Sequence, residues 1–127
     1  VDDLTYLRRG GRISAVAATV GTMLDLKPII TEGKNGKLLS TDKVRGRKQA
    51  LRTLAELAAQ NIDDPAEAEM YVLHADAPED ADRLVQLLRE KIPGLGNISI
   101  RYVGPVIGAH CGPGTVAVCF FGKERPY

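Results

Sequence analysis

A stretch rich in glycine and proline constrains this chain more than any other feature. Residues 104–115 (GPVIGAHCGPGT) hold four of the thirteen glycines and two of the seven prolines. Apolar runs typical of strands flank the stretch, ISIRYV at 98–103 and VAVCFF at 116–121. Gly and Pro between two strands indicate a tight turn, positive φ or close approach to a ligand. We predict a loop whose backbone N–H groups form a ligand-facing floor, with His110 as its titratable side chain.

The length and composition predict one globular domain. The chain has 127 residues, of which 44% are hydrophobic and 26% charged, as in ordinary soluble domains. No apolar run approaches the roughly 18 residues that span a bilayer, so no stable membrane anchor is expected. The acidic start without Met indicates the interior of a longer chain rather than a signal peptide. Two cysteines make no disulfide framework, which predicts a reducing cytoplasm.

Periodicity and turn signals predict the order of the elements. Asn35-Gly36 between two short apolar runs predicts a hairpin. Pro78 followed by Glu79 and Asp80 predicts the start of a helix. The expected elements are a helix ending at residues 10–11, a helix over 13–24, strands at 29–31 and 38–41, a helix over 45–59, a strand at 70–75, a helix from 78 to 92, and strands at 98–103 and 116–121.

This order predicts an α/β (α+β) fold. The alternation after residue 45 and the hairpin before it indicate a two-layer domain, with helices packed on a mixed β-sheet of about five strands. The predicted apolar helix faces are Leu51, Leu54, Ala55 and Ala58 on one helix, and Ala81, Leu84, Leu87 and Leu88 on another.

Charge is unevenly distributed along the chain. Residues 1–52 hold eleven Lys and Arg against five Asp and Glu, and residues 53–127 hold six against eleven. This is either a polarised solvated surface or a basic face for an anionic ligand or an acidic partner. Nucleic acid is disfavoured, because no recognised motif is present and few aromatic residues accompany the basic ones.

Several kinds of chemistry lack their residues here. No Walker-type loop, no GxGxxG run and no recognised zinc-ligand set is present. His110 and Cys111 are adjacent, and in an extended segment adjacent side chains point to opposite faces, so they are not expected to form a base–nucleophile pair. We predict that His74 is a hydrogen-bonded structural histidine and that Cys119 lies in the core. No catalytic residue and no metal site is assigned.

Basic groups and backbone amides together predict an anion-binding corner. Arg8, Arg9 and Arg12 bracket Gly10-Gly11 at the start of the predicted helix over 13–24, where free N–H groups favour an anion. An arginine there can hold a carboxylate or phosphate through two parallel hydrogen bonds. Residues 104–115, with His110, offer a second set of donors. The alternative is that these are ordinary loop glycines and exposed arginines.

Five blocks of the sequence resemble the second domain of DegV family proteins. They are residues 1–14 (VDDLTYLRRGGRIS), 26–29 (LKPI), 43–51 (KVRGRKQAL), 103–110 (VGPVIGAH) and 112–115 (GPGT). The resemblance runs in order over essentially the whole chain. It implies that residues 1–127 are a C-terminal domain and that the first domain of such proteins, with its Ser/Thr-containing ligand loop, is missing.

The resemblance implies a non-enzymatic protein that binds a long-chain fatty acid and needs no cofactor. The acyl chain would lie between two domains with its carboxylate near their interface, for presentation to a fatty acid kinase in phospholipid synthesis. Arg12 and His110 match the basic residues near the carboxylate, with Gly108 beside them. Cys111 departs from the threonine common in the family, which argues further against a thiol mechanism.

Other residues are assigned to the acyl chain and to the kinase. The residues proposed to line the acyl chain share one face of the predicted helix over 13–24: Ile13, Val16, Ala17, Val20 and Leu24. Core packing is the alternative for each of them. Arg45 matches an arginine implicated in kinase docking, and Arg47 and Lys48 are assigned with it. Competing hypotheses are a phosphate- or nucleotide-binding domain using residues 104–115, and a regulatory or dimerisation domain whose basic half docks a partner.

Overall fold

A computed structural model describes residues 1–12, 25–125 and 127 of the chain. The predicted helix over 13–24 lies outside the described residues, and so do its proposed acyl-chain residues. The described elements in chain order are α1 (Thr5–Arg9), β1 (Leu26–Glu32), β2 (Leu38–Arg45), α2 (Arg47–Asn61), a 3₁₀ turn (Pro65–Glu67), β3 (Glu69–His74), α3 (Pro78–Lys91), β4 (Asn97–Tyr102), α4 (Pro105–Cys111) and β5 (Val116–Cys119).

The five predicted strands and the α+β class are confirmed, but the described strands form two sheets. β4, β3 and β5 form a three-stranded mixed sheet in that order, with β3 parallel to β4 and antiparallel to β5. β1 and β2 form a separate antiparallel hairpin around the predicted Asn35-Gly36 turn, where Gly36 has φ 75°. Pro28 in β1 lacks the N–H that a central strand needs, which favours pairing along one edge only.

The core lies between the three-stranded sheet and helices α2 and α3. On β3, Met70 and Val72 are buried while Tyr71 between them is exposed, the alternation of a sheet with one covered face. The predicted helix faces are confirmed, since the buried residues include Leu51, Ala55 and Ala58 of α2 and Ala81, Leu84, Leu87 and Leu88 of α3. Burial of these apolar faces holds the two layers together.

The prediction of a loop over residues 104–115 is wrong, because most of the stretch is helix α4. The Gly108 N–H donates to the Gly104 carbonyl at 2.8 Å, and the Gly112 N–H donates to the Gly108 carbonyl at 2.8 Å. Pro105 occupies the first turn and Gly112 ends the helix with φ 83°. Proline at the first helical position and glycine just past the last one are signals of helix ends. Gly108 in the middle of the segment is typical of a loop and favoured the wrong prediction.

The predictions for His74, as a structural histidine, and for Cys119, as a core residue, have different outcomes. His74 is 3% exposed, and its Nδ1 accepts a hydrogen bond from the Ala77 N–H at 3.1 Å, so the structural role is confirmed. Cys119 is exposed, and its assignment to the core is wrong. Cys119 lies opposite the exposed Tyr71 in the β3–β5 register, and side chains opposite each other project from the same face of a sheet.

The α3 core contact gives a prediction about stability. Leu84 is completely buried, so Leu84→Ala leaves a cavity and is expected to lower the free energy of unfolding by about 2–5 kcal/mol, measured by urea denaturation. Glu90→Ala, at an exposed position of the same helix, is the control and is expected to change it by less than about 0.5 kcal/mol. Equal unfolding midpoints for the two variants would contradict this account of the core.

Candidate functional site

Helices α1 and α4 meet where the backbone of Gly10 lies against the ring of His110. A Cβ placed on Gly10 would lie 2.3 Å from His110 Cδ2 and 3.1 Å from Nε2. The backbone at Gly10, with φ −79° and ψ 0°, is one that any residue adopts. Glycine is therefore required here by the approach of the imidazole ring and not by the backbone conformation.

A second glycine closes the same junction from the other side. A Cβ on Gly112 would lie 2.4 Å from Cδ2 of Tyr6, so the phenol ring of α1 packs on the last turn of α4. Gly112 also has φ 83°, which disfavours any side chain. Cys111 packs beside this contact against the buried pair Leu4 and Leu7. The position of α4 relative to α1 is thus set by close packing.

His110 has a defined tautomer when its ring is neutral. Its Nδ1 lies 2.7 Å from the Val106 carbonyl oxygen. A carbonyl oxygen only accepts hydrogen bonds, so Nδ1 carries the hydrogen and donates it. In the neutral ring Nε2 then has a lone pair and no hydrogen. The edge of the ring that bears Nε2 is the one that lies on Gly10.

Gly10 also brings Arg12 to the junction. The Arg12 guanidinium donates from Nη1 to the Gly10 carbonyl at 3.0 Å, and the Arg12 N–H donates to the Leu7 carbonyl at 2.9 Å. No salt bridge within residues 1–12 and 25–125 involves Arg12. The side chain is exposed, so its charge and remaining N–H groups face solvent. Arg12 and His110, which the sequence placed in one site, both contact Gly10.

The glycines of α4 do not form the expected floor of ligand donors. The amides of Gly108 and Gly112 are used within the helix, and the Gly114 N–H donates to the Ala75 carbonyl at 2.7 Å. These three amides therefore form neither the expected floor of donors nor a phosphate site, and the assignment of Gly108 to the ligand site stays a prediction. The reason is that a helix consumes its own N–H groups beyond the first turn.

Two apolar side chains beside His110 were not assigned to the site from the sequence. Val106 and Ile107 of α4 are 66% and 56% exposed. They precede His110 by four and three positions, and helical residues so spaced share a face. The interpretation of this segment as a loop concealed that spacing. Among the described residues, these side chains supply apolar surface next to the Arg12–His110 pair.

The Cys111 thiol is not activated as a nucleophile, but the physical reason differs from the predicted one. His110 and Cys111 lie on a helix and not on an extended segment, so strand alternation does not separate them. Partial burial raises the pKa of the Cys111 thiol above its ordinary value. The thiol is therefore protonated near neutral pH, and the thiolate is the reactive form.

The three basic residues assigned to partner binding differ in their surroundings. Arg45 and Lys48 are exposed. Arg47 is partly buried; its Nε donates to Asp80 at 2.8 Å, and its Nη1 lies 3.6 Å from Asp2. Arg47 also donates to the Gly114 carbonyl. It lines a shallow cleft of about 340 Å³ and joins α2 to α3 and to the residues after α4.

The described residues hold neither a metal-binding cluster nor a membrane-spanning helix. Within residues 1–12 and 25–125, no three His, Cys, Asp or Glu side chains are grouped closely enough to hold a metal ion. Among the described helices, none has the length and apolar character needed to cross a membrane.

The Gly10 contact gives a prediction about the position of His110. Gly10→Ala places a methyl group 2.3 Å from His110 Cδ2, so the ring must move and its hydrogen bond to Val106 is expected to be disturbed. We expect shifted His110 imidazole NMR resonances and a loss of about 1–3 kcal/mol in the free energy of unfolding.

Gly104→Ala is the matched control for this substitution. Gly104 has φ −66°, and nothing lies within 4 Å of a Cβ placed there. The His110 resonances of this variant are expected to match those of the unmodified chain. If Gly10→Ala leaves them equally unchanged, the ring does not lie on Gly10.

Comparisons with known proteins place the chain in a family. The family model described as "Uncharacterised protein, DegV family" matches residues 1–123. A DegV domain-containing protein of Clostridium perfringens is 43% identical over 125 residues, which cover 98% of this chain and 43% of the relative.

Solved structures agree with this assignment. A fatty acid binding DegV family protein from Streptococcus agalactiae superposes with a TM-score of 0.80 at 31% identity, over 98% of this chain and 43% of that protein. DegV from Bacillus subtilis, described as a fatty acid binding protein, has a TM-score of 0.72 at 34% identity, over 97% and 43% of the two chains. The chain therefore spans less than half the length of these relatives and belongs to the DegV family.

Proposed function

We propose that this chain is one domain of a two-domain, non-catalytic protein that binds a long-chain fatty acid in the cytoplasm. The carboxylate is held by Arg12 and His110, and the acyl chain runs between this domain and a first domain. The observation that carries the proposal is the shared contact of Arg12 and His110 with Gly10, in a family whose solved members include proteins described as fatty acid binding.

The chemistry of a carboxylate suits this pair. A carboxylate accepts hydrogen bonds at two oxygens and binds most strongly to charged donors. The exposed Arg12 guanidinium retains N–H groups beyond the one bonded to Gly10. Its hydrogen bond to the Gly10 carbonyl orients the guanidinium group but leaves its charge uncompensated. The charge is therefore available to pair with the carboxylate of a ligand.

The acyl chain requires an apolar surface next to these donors. Val106 and Ile107 present such a surface one turn before His110. Burial of each methylene group stabilises the complex by about 0.8 kcal/mol, so a long chain is favoured over a short one. We propose that Ile13, Val16, Ala17 and Val20 extend this surface along the chain.

The remainder of the site belongs to the first domain in this proposal. The chain covers 43% of the relatives named above, which leaves room for a domain of comparable size. The exposure of Arg12, Val106 and Ile107 is as expected for one side of an interdomain site. The experiments below therefore use the full-length protein.

Two substitutions test the carboxylate site. The full-length protein is expected to carry acyl chains detectable by mass spectrometry of a denatured sample. Arg12→Ala and His110→Ala each remove a charged hydrogen bond worth about 1.5–3 kcal/mol. Each is therefore expected to weaken oleate binding by about tenfold to a hundredfold, measured by displacement of a fluorescent fatty acid.

Arg83→Ala is the control, because Arg83 is an exposed arginine of α3 whose side chain, among the described residues, bonds to the neighbouring Gln86 alone. This variant is expected to bind oleate normally. Wild-type affinity in both Arg12→Ala and His110→Ala would place the carboxylate elsewhere. A protein that carries no lipid and takes up no added fatty acid would refute the function itself.

We propose further that the basic surface at the start of α2 docks a fatty acid kinase, which forms acyl-phosphate for phospholipid synthesis. Arg45 and Lys48 carry this surface, since both are exposed. Arg47 is bound to Asp80 and Asp2 within the domain, so its contribution is to fix the start of α2.

Charge reversal tests the docking surface. Arg45→Glu is expected to lower the rate of acyl-phosphate formation by about tenfold. The reversed charge would repel an acidic surface of the kinase and so slow the association of the two proteins. Oleate affinity should stay unchanged. Arg83→Glu makes the same charge change on α3 and should leave the rate intact. Normal kinase turnover with Arg45→Glu would remove Arg45 from the docking surface.

A further inference from the structure

The hydrogen bond of His110 to its own helix determines what the free ring can offer a ligand. Nδ1 donates to the Val106 carbonyl at 2.7 Å. A neutral imidazole has one N–H, and here that N–H is already used. The nitrogen that remains, Nε2, is an acceptor, and a carboxylate oxygen is also an acceptor. Neutral His110 and an ionised acyl carboxylate therefore cannot form a hydrogen bond with each other.

One added proton removes this mismatch. With a proton on Nε2 the ring donates from both nitrogens, one to Val106 and one to the carboxylate. With the proton on the ligand instead, the carboxylic acid donates to the lone pair of Nε2. In both arrangements the complex holds one proton more than the neutral ring and the free carboxylate together.

We propose that His110 couples fatty-acid binding to the uptake of one proton, a proposal that rests on the function proposed above. The acyl carboxylate is bound together with a proton shared between one of its oxygens and Nε2 of His110. The proton comes from solvent, and no other bond forms or breaks. Affinity for the fatty acid consequently falls as pH rises through and above neutrality.

The charges around His110 favour this coupling. The charged residues of the N-terminal segment that packs against α4 are Asp2, Asp3, Arg8, Arg9 and Arg12. Both acids already have partners, since Asp2 bonds Lys27 at 3.0 Å and Asp3 accepts from the Thr5 N–H and hydroxyl. The remaining side-chain charges are cationic and favour an anionic ligand at this position, and the carboxylate of such a ligand favours the protonated ring.

Three other titratable groups lie at this junction. The Tyr6 phenol ring packs on Gly112. The Cys111 thiol is held protonated because burial raises its pKa. Burial lowers the pKa of the Val1 amino group, which interacts with Cys111. His110→Gln leaves this amino group unchanged, so the variant described below separates proton uptake by His110 from uptake by the amino group.

The count of protons is measurable by calorimetry of the full-length protein. Oleate, kept below its aggregation limit, is titrated at pH 8 in buffers of different ionisation enthalpy. The dependence of the binding enthalpy on the buffer is expected to give uptake of about one proton per oleate, and the dissociation constant is expected to rise about tenfold per pH unit between pH 7.5 and 8.5.

His110→Gln is the matched variant. The glutamine amide can donate near the position of Nε2 but does not titrate, so the oleate that this variant binds, at whatever affinity, should bind without proton uptake and with little dependence on pH. Oleyl alcohol, which has the same chain without a carboxylate, should bind the unmodified protein without proton uptake.

The outcomes separate this proposal from the function on which it rests. Tight oleate binding with no proton uptake from pH 7 to 9 would overturn the coupling and leave the fatty-acid function intact. Uptake that persists in His110→Gln would also overturn it, because the proton then goes to another group. Absence of oleate binding at every pH would refute the function, and the coupling with it.

Discussion

The contact between the Gly10 backbone and the His110 ring is the interaction on which the candidate site depends. It exists because glycine leaves the α-carbon of α1 bare, so that an aromatic ring of α4 can approach where any Cβ would collide. The same residue holds Arg12 through its carbonyl. One residue without a side chain thus positions a cation and an imidazole next to each other, although they come from opposite ends of the described chain.

The rest of the domain serves to hold α1 and α4 at this separation. The packed layer of α2 and α3 on the three-stranded sheet fixes the ends of β3, β4 and β5, and α4 is the connection between β4 and β5. Arg47 links the start of α2 to α3, to Asp2 near α1 and to the Gly114 carbonyl just after α4. Arg47, which the sequence assigned to a partner-binding surface, therefore connects elements within the domain.

Local sequence patterns predicted most helices and strands correctly. They gave the wrong structure for residues 104–115, where loop composition and helix-end signals occur together. The Asn35-Gly36 hairpin and the apolar faces of α2 and α3 depend on residues close in sequence, and the structure confirms them. Residues 104–115 contain both loop composition and helix-ending signals, and composition outweighed the signals in our interpretation. Treating Pro105 and Gly112 as helix ends places Val106, Ile107 and His110 on one turn-spaced face and reveals the apolar surface beside the ring.

The sequence by itself determined the α+β class, the order of most elements, the family and the choice of Arg12 and His110 as a pair. Each of these follows from residue type at short spacing or from ordered blocks of similarity. Only the tertiary structure decided that the two residues meet at Gly10, that the glycine amides of α4 are consumed within the fold, and that the His110 Nδ1 hydrogen is already donated to Val106. These are distances between atoms of packed elements, and packing depends on the whole chain at once.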